Sequence, residues 1–242
     1  MTNISNRKQT PQRLLVLLAL LWSSALASAL PGRAQVMQME GKATLINAAG
    51  SSSSLTVGKV LGSGDTVSTP PGSTVDLWLG LNGDWLRVDP ETTLKFEVLD
   101  IPNISERRVT TSLRLIKGSV TGNVKTKLTA DSKYEVKTPG GVADIRGTVY
   151  AFLSNGTLIV TKGVVNFTYV LKGVSKTVRV EPGYQFKPGD EKPTPAPQNL
   201  LDKVAQVAIQ VADDIGTVRD GNLTVTVRPA SPNPLEVSTS GK

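Results

Sequence analysis

From about residue 36 to residue 187 the chain is a succession of short β-branched and aromatic runs, each ended within a few residues by a turn pair. No apolar set in this region keeps a helical period. That rhythm leaves strand pairing as the way to build a core. Asn82-Gly83, between Leu81 and Trp85, is a two-residue hairpin signal. Asn155-Gly156 joins residues 149–153 to 157–161 in the same way, and Lys172-Gly173 lies between runs 164–171 and 177–180. Val75, Leu77 and Leu79 alternate inward along the run that starts at Thr74. Residues 85–88, 93–98 and 112–120 read as further strands, the last broken at Lys117-Gly118. The serine run 51–54 and the Pro102-containing segment 101–109 read as loops. The expected fold is all-β, a sandwich, roll or short β-solenoid, and the sequence leaves the three open. Two Lys-Gly units, at Lys117-Gly118 and Lys162-Gly163, would favour the solenoid if they stacked.

The most informative stretch runs from Lys137 to Phe152. Thr138-Pro139-Gly140-Gly141 is a turn with a mechanism: proline fixes φ and the glycines admit positive φ. Residues 142–152 then read as a strand. Strict alternation puts Ala143, Ile145, Val149 and Ala151 on one face, with Val142, Asp144, Arg146, Thr148 and Tyr150 on the other. Gly147 interrupts the run and marks a bulge or a close backbone approach. Arg146 is expected to act structurally, by a charge-assisted hydrogen bond to a carbonyl or a carboxylate.

Thr138, Pro139, Gly141, Ile145, Arg146, Gly147, Thr148 and Tyr150 together resemble the signature of the FecR domain of bacterial cell-envelope proteins. The apolar run 158–165 with its Lys162-Gly163, and Pro182-Gly183-Tyr184-Gln185, resemble later parts of that pattern, so the resemblance covers about residues 58–186. Asp144 departs from it, standing where a small or apolar residue is usual. The resemblance implies a domain outside the inner membrane, a non-enzymatic binding or sensing role, and a protein partner. The best-known FecR proteins relay a receptor signal to a sigma factor through a membrane helix and a cytoplasmic segment. No such segment precedes the leader here, so direct anti-sigma action is not expected.

Residues 1–34 read as a signal peptide. Arg7, Lys8 and Arg13 precede an apolar core that starts at Leu14, and small-x-small processing sites follow at Ala27-Ser28-Ala29 and Gly32-Arg33-Ala34. Periplasmic or secreted localisation follows, with membrane attachment only if the leader stays uncleaved. The net charge of +7 is partly the leader's. Taking Arg7, Lys8, Arg13 and Arg33 from the 27 basic residues leaves 23 against 20 acids, too small an excess to argue for nucleic acid. With no Cys and no His, disulfides, thiol chemistry and the usual zinc sites are excluded, and so is the commonest general base. No cofactor and no metal are expected. Asp84, Asp89 and Glu91 gather near the Asn82-Gly83 turn and read as solvated loop acids.

The β domain, residues 36–187, is followed by a Pro-rich linker, 188–198, and a helix-plus-strand unit, 199–228. Asn199 is placed as the helix N-cap and Gly216 as its stop. Leu200, Val204, Val207 and Val211 carry the apolar stripe of that helix. The stripe either packs back on the β domain or enters a partner's groove. The final strand is placed at 223–227 and residues 229–242 are read as a disordered tail. The alternative to a protein-binding role is a cell-wall or polysaccharide-binding module, which an exposed row of Trp78, Trp85, Tyr150 or Tyr169 would support.

Overall fold

A computed structural model of the chain describes residues 30–103, 108–124, 129 and 131–215. The leader up to residue 29, the expected strand 223–227 and the tail 229–242 lie outside the described residues. In chain order the strands are β1 (Leu30–Pro31), β2 (Ala34–Glu40), β3 (Thr44–Ile46), β4 (Ser52–Ser54), β5 (Val60–Leu61) and β6 (Thr66–Ser68). Next come β7 (Thr74–Gly80), β8 (Asp84–Val88), β9 (Thr93–Asn103), β10 (Arg108–Lys117), β11 (Ser119–Asn123) and β12 (Lys133–Thr138). The last are β13 (Gly141–Leu153), β14 (Leu158–Leu171), β15 (Val174–Val180), β16 (Tyr184–Phe186) and β17 (Thr194–Pro195), and then one helix, α1 (Gln198–Ile215).

The all-β expectation holds, as a sheet curled into a half-barrel. One wing runs β5, β2, β7, β8, β11 and the second half of β13. The other runs β4, β3, β6, β9, β10, β12 and the first half of β13. Only the β10–β12 pair among these is parallel. The hairpin β13–β14 belongs to both wings. Its closed end takes β16 on the β14 side, and its open end takes β15. The wings curl to face one another over a shared core. Phe152 meets Phe167 edge-on, with centroids 5.6 Å apart and planes at 82°. Phe96, Leu94, Leu113, Ile145, Val160 and Phe186 lie in the same cluster.

The bend of the hairpin explains why strict alternation misplaces half of the signature. Gly147 has φ +62° and Gly163 φ +76°, and the β13–β14 register shifts between Arg146 and Tyr150. One extra residue in a strand turns every later side chain to the opposite face. Ala143 and Ile145 point into the core as expected, but beyond the bulge Thr148, Tyr150 and Phe152 point in. Val149 and Ala151, placed by the sequence with Ile145, lie on the outer face instead, against the helix. The two Lys-Gly units do not stack: β10 pairs with β9 and β12, whereas β14 pairs with β13, β15 and β16. Gly118 is a corner that carries the chain from one wing to the other, and Gly163 bends a continuous strand.

Two tyrosines tie the wings at the centre. Tyr134 from β12 and Tyr150 from β13 are fully buried, and their hydroxyls lie 3.2 Å apart. Burial pushes the Tyr134 phenol up to about 12 and the Tyr150 phenol well above its ordinary value. Tyr150→Phe is expected to leave the Tyr134 hydroxyl without a buried partner and to cost about 1–3 kcal/mol. The double change to phenylalanine is expected to cost less than that single change. Chemical denaturation of the three variants checks the order.

Two boundaries differ from expectation. The β domain starts before residue 36: β1 pairs with Asp100 and Ile101, Gly32 N donates to the Leu99 carbonyl at 3.1 Å, and buried Ala34 opens β2. The Pro-rich linker is also tied down, since Thr194 and Pro195 pair with β16 and Ala196 is buried beside the helix. The helix then begins at Gln198, with the Pro197 carbonyl accepting from Leu200 N and Leu201 N. Asn199 therefore sits in the first turn and does not cap it.

Candidate functional site

Helix α1 lies on the outer face of the wing that contains β8 and β11. Apolar residues at helical spacing give it one buried side. Val211 is buried against Met37 and Trp85, with Trp78, Val207 and Ala208 packed around them. Val204 is buried against Ala151 and Ile159, with Leu200, Leu201 and Val149 at the edge. The four stripe residues named from sequence thus face the sheet. The Trp78–Trp85 pair lies opposite across β7 and β8 and under the helix, and Tyr150 and Tyr169 are buried. None of the four forms an exposed aromatic row.

A groove of about 540 Å³ runs beside α1 across β8, β11, β13 and β14. Its floor is apolar at one end, where Ala151, Leu153 and Ile159 meet Leu200 and Val204, and polar at the other, where Arg87, Asp89, Ser119, Thr121 and Lys203 gather. Alternation along the β7–β8 hairpin puts Asp76 and Arg87 directly opposite each other on this face. Arg87 Nε and Nη2 donate to the two Asp76 carboxylate oxygens, each at 2.6 Å, and Nη1 donates to Gln210 Oε1 of α1 at 3.0 Å. Both side chains are almost wholly shielded from solvent. Burial pushes the Asp76 carboxyl up, against the pull of Arg87.

Asp89 takes one hydrogen bond, from Ser119 Oγ to its Oδ2 at 2.8 Å. Burial pushes its carboxyl up, and Ser119, Arg87 and Lys203 oppose the shift without cancelling it. A carboxyl whose folded pKa lies above its unfolded value contributes stability below the unfolded pKa and loses it as pH rises through the folded one. Asparagine stays neutral at every pH. Asp89→Asn is therefore expected to raise the melting temperature at pH 7 and to leave it nearly unchanged below about pH 4. Thermal denaturation at the two pH values measures this.

The signature threonines direct their hydroxyls into the fold. Thr138 Oγ1 accepts from Gly140 N at 3.1 Å and donates to the Gly141 carbonyl at 3.2 Å, closing the turn around exposed Pro139. Thr148 Oγ1 reaches the carbonyls of Arg146 and Val164, at 3.0 and 3.1 Å, across the bend. Gly141 lies so close to the Thr168 carbonyl that a Cβ would sit 2.5 Å from it. Arg146 is exposed and stands 3.7 Å from Asp144, a solvated pair on one edge of the bend. The acids near the hairpin separate: Asp84 binds Asn123, Asp89 binds Ser119, and Glu91 lies 4.0 Å from Lys117. Among the described residues no group of three acids could hold a metal ion.

Sequence reasoning missed the Asp76–Arg87 pair and the buried role of the Asn82 side chain. The pair could have been found by counting outward from the Asn82-Gly83 turn. Asn82 gives no such signal: it is fully buried and donates to the Asp100 carbonyl and to Thr111 Oγ1, at 3.1 and 3.2 Å, stitching the hairpin to the other wing.

An all-β scaffold with one docked helix, whose most distinctive residues are spent on its own bend, is the class of protein these observations define. Residues 65–166 match the family model described as FecR protein. The matched segment takes in both wings and the Gly147 bend. Two solved structures of proposed anti-sigma factors from Parabacteroides distasonis also align with the chain. One is 12% identical over 54% of this chain and 58% of its own, with a TM-score of 0.40. The other is 16% identical over 54% of each chain, with a TM-score of 0.30. The chain spans little more than half the length of these structures. No curated protein matches it.

Proposed function

We propose that the chain is an exported, non-enzymatic FecR-domain protein of the bacterial cell envelope that binds a protein partner in signalling. The FecR match over residues 65–166 carries this reading. The use of Thr138, Thr148 and Tyr150 as internal struts supports it, since it gives the signature a scaffolding role. The outer side of α1, with Ile209 63% exposed, is a surface a partner can reach.

Export rests on the leader. Processing after Ala29 leaves β1 and the Gly32–Leu99 hydrogen bond in place, whereas processing after Ala34 removes both. The proposal therefore takes Leu30 as the first residue of the exported form. The test is fractionation of a bacterial host expressing the chain with a C-terminal tag, followed by intact mass and crosslinked-partner identification. A periplasmic product starting at Leu30, crosslinked to an envelope signalling protein, is expected. A cytosolic product that keeps Met1 would contradict export, and a periplasmic one with no protein partner would contradict the binding role.

A further inference from the structure

The groove beside α1 has no role in the FecR reading above. It is large enough for a small ligand, mostly apolar, and provided with a few polar groups at one end, which is the usual make-up of a ligand site. The groove crosses the neighbouring strands β8, β11, β13, β14 and β16, from Arg87 to Gln185. That shape suits a linear molecule lying across the strands.

The charges at the polar end select its head group. Asp76 takes two of the five Arg87 N–H donors and Gln210 a third. Its charge is matched by Asp76 within the wall. Asp89 differs. Among the described residues its side chain is held by Ser119 Oγ through Oδ2. Lys203 on α1 is near enough to favour the Asp89 charge but forms no ion pair with it within 4.0 Å. The carboxylate therefore faces the groove with an oxygen left to accept. Thr121, opposite Arg87 on β11, adds a hydroxyl to the same lining.

We propose that this groove binds a small aliphatic amine, its alkyl chain over Ala151, Leu153 and Ile159 and its ammonium group at Asp89. A carboxylate-headed chain of the same length would set like charge against Asp89, and an alcohol would lack the charge-assisted hydrogen bond. Lys203 is a competing cation on the rim, so its removal sharpens the preference.

The test uses the purified protein with n-octylamine, 1-octanol and octanoate at pH 7. Binding is followed by the methyl resonances of Ala151 and Ile159 and by calorimetry. Octylamine is expected to shift both methyls and to bind at least about tenfold more tightly than octanoate. Asp89→Asn is expected to remove that preference while its melting curve shows the fold intact. Lys203→Ala, an exposed change on a helix, is expected to tighten octylamine binding by about threefold. Octanoate binding as tightly as the amine, a preference that survives Asp89→Asn, or methyls that no probe shifts would each overturn the proposal.

Discussion

Gly163→Ala is expected to destabilise the protein by about 2–5 kcal/mol. Two effects add. Gly163 has φ +76°, a region that costs a residue with a Cβ about 1–2 kcal/mol. An added Cβ would also lie 2.2 Å from the Gly147 carbonyl oxygen and 2.9 Å from Thr148 Cα. Both atoms are backbone, so the two strands must part where the hairpin bends. That separation costs a further 1–3 kcal/mol, roughly what overpacking costs in a core. Gly173→Ala supplies the control. Gly173 has φ +78°, almost the same, with nothing within 4 Å of the added atom. Its expected cost is the backbone contribution alone, about 1–2 kcal/mol. Urea denaturation of both variants separates conformational strain from steric conflict. Equal costs would mean that β13 and β14 do not approach each other at the bend.

The second large effect concerns the buried ion pair under α1. Arg87→Met or Asp76→Leu alone is expected to cost about 3–5 kcal/mol, because either leaves one charge buried without its partner. The double variant is expected to recover most of this, since two apolar side chains can fill the space with no charge to desolvate. Gln210→Ala removes only the helix's hydrogen bond to Arg87 and is expected to cost about 0.5–1.5 kcal/mol. The coupling energy from the double-mutant cycle reads the interaction directly. Additive losses would show that Arg87 and Asp76 do not form a pair in solution.

Much of the architecture was legible from turn chemistry. Asn82-Gly83, Asn155-Gly156 and Lys172-Gly173 each close a hairpin where the residues imply one. These signals are local, and a local rule reads them. The face assignment beyond Gly147 failed for the opposite reason. A bulge is written in the sequence as one glycine, but the direction the next side chain takes depends on the partner strand. Gly163 supplies the matching bend 16 residues later. Lys117-Gly118 looks the same as Lys162-Gly163 in sequence, yet one turns between wings and the other bends one strand. Pairing across the whole fold decides which, and spacing does not record it.

The helix was legible as a helix because its stripe has a clear period. Its seat was not, because Val149 and Ala151 were assigned to the wrong face and Trp78 and Trp85 were read without reference to a cover. The groove followed from the same miss. Its walls come from β8, β11, β13 and α1, which no sequence spacing brings together. Asp89 was noticed as one of three turn acids. Its separation from Asp84 and Glu91 depends on Ser119, which reaches it from across the corner at Gly118.

Amide hydrogen exchange followed by mass spectrometry tests most directly whether the signature hairpin is the scaffold of the fold. Peptides from residues 141–153 and 158–171 are expected to exchange last, at the rate of global unfolding. Peptides from α1, tethered through the proline-rich segment before it, are expected to open sooner. Exchange over 141–153 as fast as in the exposed turn at residues 47–51 would contradict a scaffolding role for that hairpin.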